Sequence, residues 1–473
     1  MIPAAAAVNM RALKTPEDTI AAIATPIGTA GIGIIRLSGP QAWAVGQRLF
    51  RPRKDRQHLS SHQLYLGHII CPETGKAVDE VLVSFMKAPH TYTREDVVEI
   101  NCHSGLVVLE RILHLILSHG ARLAEPGEFS RRAFLNGRID LTQAEAIADL
   151  INAKTHKSLE LAGEQLQGRM HQLIARIRGD LLDLLAYVEA AIDFPEDDVE
   201  YLNQTDFTER LRSRVYEPVK QLLQRYEDGR ILREGLSVII TGKPNVGKSS
   251  LLNNLLNSER ALVTPIPGTT RDLIEEGCSL RGIPLRLVDT AGLHPSEHPV
   301  ERLGIERARE RLSRADLVLF LLDRSQQLTK EDAHIYQEIS SKPRLLIVNK
   351  VDLPPHPDFS ELTKHFPGER FLQVSALRGD GVEELKDAIL ETIIGERLDT
   401  ETSLVAPNLR HKKCLESTLE ALARSLNLLE SNGAPELLAV ELQESLAHLG
   451  DIIGQTTSED VLDQIFNQFC IGK

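Results

Sequence analysis

The chain has 473 residues, 42% of them hydrophobic and 26% charged, with a net charge of −13; that length predicts two to four domains with ample buried core. The charge excludes a uniformly basic nucleic-acid-binding surface, so any RNA would have to dock on a local patch. Five cysteines without regular spacing do not read as a disulfide framework and fit a reducing compartment, and there is no run of roughly eighteen apolar residues to span a membrane.

The opening MIPAAAAVNMRALK is Ala-rich and basic and lacks the apolar segment of a signal peptide; it reads as an extension, with order expected from near Asp18. Short apolar runs then alternate with turns: IAAIATP, GTAGIGIIRLSG, VLVSFM and DVVEINCHSG. LVVLERILHLILSHG has helical spacing, so a mixed α/β domain is expected over residues 1–137. The glycines of GTAGIG lie inside a strand pattern and open no helix, which argues against a dinucleotide-binding turn. From Asp140 the pattern is helical. Thr142 and Glu145 read as a capping box ahead of Ile147, Leu150 and Ile151. Helical spacing continues to about Arg230, broken at Phe194-Pro195 inside DFPEDD, whose acids read as a solvated turn rather than a metal site. A first helical segment is thus expected over 138–234 and a second over 396–473, with the intervening 235–395 forming a doubly wound α/β domain inserted into the helical one.

That insertion carries the most specific motif. GKPNVGKSS (Gly242 to Ser250) follows the apolar run LSVII and precedes SSLLNNLL, the strand, Gly-rich turn and helix that a phosphate-cradling loop needs. Gly242 and Gly247 let backbone N–H groups, Val246 and Ser250 among the loop residues, close around a polyphosphate. The helix starting near Lys248 adds its positive dipole end. Lys248 would neutralise the β- and γ-phosphates and Ser249 would ligate Mg²⁺. DTAG (Asp289 to Gly292) follows the strand-like PLRLV: Asp289 can hold the Mg²⁺ shell and the Gly292 N–H can meet the γ-phosphate. In NKVD (Asn349, Lys350, Val351, Asp352), after RLLIV, the Asp352 carboxylate can accept both N–H donors on guanine's edge. Adenine would leave it unpaired, a penalty that discriminates strongly. SAL (Ser375, Ala376, Leu377) ends FLQV, where the Ala376 N–H can reach guanine O6. Each string alone is weak. Four in this order, each at a strand end, indicate a guanine-nucleotide-binding, Ras-like P-loop domain, with Thr270 of GTTRD as the second Mg²⁺ ligand.

Leu293 follows DTAG where a Ras-like domain has a water-orienting Gln, so another group must handle the water. Glu301 in PVERLGIERARE is the nearest candidate; it reads equally as a surface residue of the next helix, and Glu306 and Glu310 are visible to the same argument. The Asn245 side-chain carbonyl can ligate a cation beside the phosphates. In TPIPGTT (Thr264 to Thr270), Pro265 and Pro267 lack N–H groups; this leaves carbonyls of the kind K⁺ prefers. A K⁺ there would supply the charge of an arginine finger. The alternative is a proline-stiffened loop whose Asn245 only hydrogen-bonds backbone.

Taken together, GKPNVGKSS, TPIPGTTRD, DTAGL, NKVD and SAL, the N-terminal DTIAAIATPIGTAGIGIIRLSG, EDVVEINCHSG and EPGEFSRRAFLNGRIDLTQAEAIADLI, and the final CIGK resemble the MnmE (TrmE) family of tRNA-modification GTPases over most of the chain. The resemblance implies an N-terminal α/β folate-binding and dimerisation domain, a discontinuous helical domain and an inserted GTPase domain. It implies a cytoplasmic, potassium-activated homodimeric GTPase in which Asn245 and the carbonyls of Thr264, Ile266 and Thr269 bind K⁺, Ser249 and Thr270 hold Mg²⁺, Thr264 and Thr269 also border the GTP, and Glu301 positions water. With an MnmG-type FAD partner, such proteins install an aminomethyl or carboxymethylaminomethyl group at C5 of wobble uridine 34 in tRNA. A tetrahydrofolate derivative, in its 5,10-methylene or 5-formyl form, is the implied one-carbon carrier. Arg36, Glu99, Arg138 and Lys473 fall at positions resembling folate contacts: a carboxylate for pterin N–H groups and cations for a glutamate tail. Cys470 in CIGK is placed near the folate. It suits prenylation poorly, since Gly472 is not aliphatic and Lys473 is an unusual final residue. The competing function is a regulatory switch GTPase of ribosome assembly or translation, which the nucleotide motifs do not separate but the flanking domains disfavour. For RNA contact the basic candidates are Arg51, Arg53, Lys54 and Arg56, and Arg410, Lys412 and Lys413.

Overall fold

A computed structural model describes residues 17–54, 58–193, 204–258, 275–289, 312–313, 315–395 and 405–473. They fall into two compact units. The first takes in the described residues up to Ala148, then Gln165–Leu223 and Arg410–Lys473; the second takes in Asp149–Glu164 and Gln224–Leu409.

The chain begins with β1 (Thr19–Ile23), β2 (Gly33–Ser38), α1 (Ala42–Leu49), β3 (Phe50–Pro52), β4 (Gln63–Ile70), β5 (Ala77–Met86), β6 (Val97–Cys102), α2 (Leu106–Leu117), β7 (Ala121–Leu123) and α3 (Glu128–Leu135). The strands form a seven-stranded sheet in the order β3-β4-β5-β6-β2-β1-β7. Its pairs are antiparallel except β1 with β7. Residues alternate across this sheet. Ile35, Leu37, Val83, Phe85, Val98 and Ile100 turn to one face and pack with Leu109, Ile112 and Ile116 of α2 in one core. The opposite face carries a polar pair: Arg36 and Glu99 are direct cross-strand partners. GTAGIG leads into β2 and opens no helix, as its strand pattern requires.

Next come α4 (Leu141–Asn152), α5 (His156–Leu166), α6 (Arg169–Asp193), α7 (Gln204–Arg210), a π-helical stretch Leu211–Tyr216, α8 (Glu217–Gln224) and α9 (Tyr226–Glu234). The expected helical run is present, but the capping box of α4 lies two residues earlier than Thr142 and Glu145 suggest. Asp140 Oδ1 accepts the Gln143 N–H at 3.0 Å, and Gln143 Oε1 accepts the Asp140 N–H at 3.0 Å. That reciprocal pair is the capping box; Glu145 is engaged elsewhere. Of DFPEDD, the residues after Asp193 lie outside the described residues.

The inserted segment supplies β8 (Leu236–Thr241), α10 (Lys248–Ser258), β9 (Glu275–Leu280), β10 (Ile283–Asp289), β11 (Leu317–Asp323), α11 (Lys330–Glu338), β12 (Arg344–Asn349), α12 (Leu362–His365), β13 (Phe371–Gln373) and α13 (Val382–Ile394). The six-stranded sheet runs β13-β12-β11-β8-β10-β9. It is parallel apart from β9 against β10. Continuous apolar runs make its strands: all seven residues of β11 are buried, the signature of a sheet covered on both faces. Strand order reverses at β8, and in such sheets the crevice at the carboxyl ends beside the reversal binds ligands.

The chain closes with α14 (Leu409–Glu430), α15 (Pro435–Ile453) and α16 (Glu459–Phe466). Leu462, Ile465 and Phe466 of α16, with Phe469 just after it, join Phe134, Leu141, Ala144 and Ile147 in one core. The last residues therefore return to the N-terminal part of the same unit.

Candidate functional site

Three motifs, the phosphate loop, NKVD and SAL, converge on the carboxyl edge of the second sheet. The phosphate loop leaves β8 with Gly242 at φ 145°, Asn245 at φ 65° and Gly247 at φ 99°. Two of these conformations demand glycine for space as well as for φ. A Cβ on Gly242 would lie 2.5 Å from the Leu321 carbonyl oxygen, and one on Gly247 would lie 2.2 Å from Asn349 Nδ2. Asn tolerates the left-handed region better than most side chains, and Asn245 is exposed there. The Lys248 ammonium donates to the carbonyls of Gly242 and Lys243, both at 2.8 Å. Ser249 is exposed in the first turn of α10.

Asn349 ties the edge together. Its Nδ2 donates to the Val246 carbonyl at 2.7 Å, and its Oδ1 accepts the Ala376 N–H at 2.9 Å. One buried side chain thus joins the phosphate loop, NKVD and SAL. The Ala376 N–H, expected to serve guanine O6, is engaged by Asn349 in this structure. Asp352 accepts the Ser375 hydroxyl at 2.7 Å, and that bond holds its carboxyl below the usual range. Lys350, at φ 62°, donates to Asp323 Oδ2 at 2.6 Å. Burial alone would raise the Asp323 carboxyl, but Lys350 and the Ser325 hydroxyl and N–H hold it below its ordinary value. Asp323 ends the apolar run LVLFLLD. A carboxylate closing a buried strand was its sequence signal, and it was missed.

Several expected positions lie outside the described residues: Thr264, Pro265, Ile266, Pro267, Thr269, Thr270, Gly292, Leu293, Glu301, Glu306 and Glu310. The Asp289 backbone ends β10.

The first unit holds the second cluster. Arg36 Nε donates to Glu99 Oε1 at 2.8 Å, and its Nη1 is 3.4 Å from the Gly472 carbonyl oxygen. Its guanidinium lies 5.6 Å from the Tyr92 ring centroid and 5.7 Å from that of Phe129. Arg138 lies over the same Tyr92 ring at 4.7 Å and donates to the Tyr92 carbonyl at 3.2 Å. Such stacking orients the planar guanidinium. The Lys473 carbonyl accepts the Phe129 N–H at 3.1 Å. Gly472 fits because a Cβ there would lie 2.5 Å from the Ile23 carbonyl oxygen. Arg36, Glu99, Arg138 and the backbone of Lys473 are therefore brought together, with Tyr92 between the arginines. Nothing in the local sequence marks Tyr92. Cys470 is exposed, and its carbonyl accepts the Lys473 N–H at 3.3 Å.

Of the basic candidates, Arg51, Arg53 and Lys54 are exposed, with Arg53 at 3.8 Å from Glu80; Arg56 is outside the described residues. Arg410 does not serve. It is turned inward onto Glu145, with Nε to Oε1 at 2.7 Å and Nη2 to Oε2 at 2.9 Å, and onto the carbonyls of Asp451 and Ile452. A guanidinium with those bonds has no face to offer a phosphate. Lys413 remains exposed. Among the described residues no helix is long and apolar enough to cross a membrane, and no His, Cys, Asp and Glu group has metal-holding geometry.

Two family models match the chain: "GTP-binding protein TrmE N-terminus" over residues 19–138 and "MnmE helical domain" over residues 141–470. Among curated relatives, the "tRNA modification GTPase MnmE" of Alkaliphilus oremlandii is 47% identical over 97% of this chain and 99% of its own. That of Desulfotalea psychrophila is 48% identical over 97% of this chain and 98% of its own. That of Geobacillus kaustophilus is 46% identical over 97% of this chain and 100% of its own. With both the nucleotide edge and the N-terminal cluster built from the motifs that carried the resemblance, the chain belongs to the MnmE family of tRNA modification GTPases.

Proposed function

We propose that this GTPase is activated by K⁺ and, with an MnmG-type FAD-dependent partner, adds an aminomethyl or carboxymethylaminomethyl group at C5 of wobble uridine 34 of tRNA. It acts as a homodimer in the cytoplasm. Residues 1–137 form the folate-binding and dimerisation part, 138–234 and 396–473 the helical part, and 235–395 the GTPase part.

The observation that carries this reading is the cluster of Arg36, Glu99, Tyr92 and Arg138 against the Gly472–Lys473 turn, which a switch without further chemistry would not need. The donor set suits a reduced folate. Glu99 presents a half-exposed carboxylate to accept pterin N–H groups, and Arg36, spent on Glu99, orients that carboxylate. Arg138 and Lys473 offer cations to a glutamate tail, and Cys470 stands beside them in the chain. A bound folate would supply the one-carbon unit.

On the nucleotide edge, Lys248 offsets phosphate charge, while Ser249, with Thr270, holds Mg²⁺ and Asp289 steadies its shell. Asn245, exposed at its left-handed position, offers its amide oxygen to K⁺ alongside the carbonyls of Thr264, Ile266 and Thr269, and K⁺ supplies positive charge beside the phosphates. Glu301 orients the attacking water. Asp352 accepts from guanine, and Ala376 donates to O6 by exchanging its bond to Asn349. The remaining loop residues, Val246, Gly247, Ser250, Gly292, Lys350 and Ser375, shape the same edge.

The test is the nucleoside content of tRNA from cells lacking this chain. Loss of the C5 substituent on the wobble uridine, restored by the wild-type chain and not by Glu99→Ala, is the expected result. Unchanged wobble-uridine modification in those cells would overturn it and leave the switch GTPase.

A further inference from the structure

We infer that Lys243 and Asp332 form a strut that preorganises the phosphate loop, and that Lys243 is a positioning residue for guanine-nucleotide binding. The inference rests on the GTPase activity of the family; it gives a role to Lys243, an unspecified position within the G-x-x-x-x-G-K spacing of GKPNVGKSS, and adds a partner, Asp332, that lies outside the nucleotide motifs.

The loop from Gly242 to Gly247 holds three residues at positive φ. A loop whose N–H groups must stay aimed at a ligand cannot satisfy them internally, so its shape has to be imposed from outside. At its far end the Val246 carbonyl is held by Asn349. At its near end the side chain of Lys243 reaches out. It is 9% exposed, and its ammonium crosses to the start of α11. There it lies 2.7 Å from Asp332 Oδ2, 3.3 Å from the Gln327 carbonyl oxygen and 3.4 Å from Thr329 Oγ1.

The acceptor is itself immobile. Asp332 is 1% exposed and is the third residue of α11, in a capping box with Thr329. The Thr329 N–H donates to the same Oδ2 at 2.8 Å. Asp332 Oδ1 accepts no hydrogen bond among the described residues, so the carboxylate depends on Lys243 for its counter-charge there. Burying such an ion pair is a poor route to stability, since an apolar pair of similar volume generally does as well or better. What the pair does provide is a fixed anchor point.

That anchor leads to the phosphates through the backbone. The Lys243 carbonyl is one of the two that receive the Lys248 ammonium. Fixing the Lys243 side chain to α11 therefore fixes the carbonyl on which the phosphate-binding lysine rests, and with it the first turn of the loop. Preorganisation of this kind lowers the ordering cost of binding and acts on affinity before it acts on chemistry.

The experiment uses the full-length chain with Lys243→Met, Lys243→Arg, Asp332→Asn and the Lys243→Met/Asp332→Asn double variant. GTPase kinetics, release of a fluorescent GDP analogue and thermal melting are read for each. Lys243→Met is expected to speed release by about tenfold and to raise KM for GTP by more than it lowers kcat, with Lys243→Arg restoring both. The double variant is expected to be no worse than Lys243→Met alone, because partners in one interaction are not additive. Unchanged release and KM in Lys243→Met, or additive losses in the double variant, would overturn the strut. Should Lys243→Met fold poorly, Lys243→Arg decides alone: wild-type release with the arginine supports the strut, and release accelerated as much as in Asp332→Asn refutes it. Failure of the wild-type chain to bind the GDP analogue would instead strike at the nucleotide reading.

Discussion

Asp352 lies at the surface, and the neighbour that most lowers its pKa is Ser375, with Arg378 and Lys350 adding to the effect. The Ser375 hydroxyl donates to its Oδ1 at 2.7 Å and lowers its pKa. In the proposed role only the ionised carboxylate accepts both guanine N–H groups, so affinity should persist to low pH and fall as pH drops through the depressed value. Ser375→Ala removes the donor, and the Asp352 pKa then rises toward that of an ordinary aspartate. The acid limb of GTP affinity should move to higher pH, measured by fluorescent-nucleotide titration across the acid range, with affinity at neutral pH reduced less. An acid limb that stays in place would show that another group governs it. Asp352 and its neighbours were legible in the sequence because recognition needs several groups within a few residues of one strand end. The partners that hold them were not. Asp323 lies 27 residues from Lys350, and Asn349 lies 103 from Val246. Spacing along the chain does not report which strand ends become neighbours.

Helix α4 shows the same limit at the level of an element. Both Asp140–Gln143 and Thr142–Glu145 satisfy the capping-box spacing, two residues apart, and the local pattern does not choose between them. The choice is made by Glu145's partners: Arg410 is 265 residues away, and His411 Nε2 is 2.8 Å from Glu145 Oε2. Burial opposes charge on Glu145, and Arg410 and His411 overcome it, holding the carboxyl far below its usual range. The pair clasps α4 to α14, whose start reads in sequence as a basic RNA-facing cluster. Glu145→Gln leaves Arg410 buried without its counter-charge and should cost about 3–5 kcal/mol at neutral pH, measured by urea unfolding. The sign with pH follows from the depressed folded value. The stabilisation is complete above the unfolded glutamate pKa and drains away as pH falls toward the folded one. The gap between wild type and Glu145→Gln should therefore be constant at neutral pH and narrow below the ordinary glutamate range. A gap that widens on acidification would refute the charged clasp.

At the scale of the molecule, the motifs bracket the nucleotide domain at 235–395, whereas the compact unit that contains it extends over Asp149–Glu164 and Gln224–Leu409. The reason is burial at the start of the sheet. Leu161, Ile231, Leu232 and Ala406 belong to the same core as β8, β10 and α10. Polar bonds reinforce it: Ser158 Oγ donates to the Leu232 carbonyl at 2.6 Å, and Arg233 Nη1 donates to the Ala406 carbonyl at 3.1 Å. The helix and chain approach closely enough that a Cβ on Gly229 would lie 2.5 Å from the Ala406 Cβ. None of these residues carries nucleotide chemistry, so motif reading stops short of them; only the three-dimensional core reveals that they belong. A fragment of residues 235–395 keeps the nucleotide motifs but forfeits the burial of Ile231 and Leu232. At roughly 1.5–3 kcal/mol per fully buried side chain, it should be less stable than a 224–409 fragment by about 3–6 kcal/mol as an upper bound. Urea unfolding followed by circular dichroism compares the two directly. A lower midpoint with a somewhat shallower slope in the shorter fragment is expected, since the slope scales with the surface that unfolding exposes. Coincident midpoints would mean that α9 and the chain around Ala406 merely lie on the GTPase sheet, and that the motif boundaries already enclose everything the nucleotide edge needs to stand.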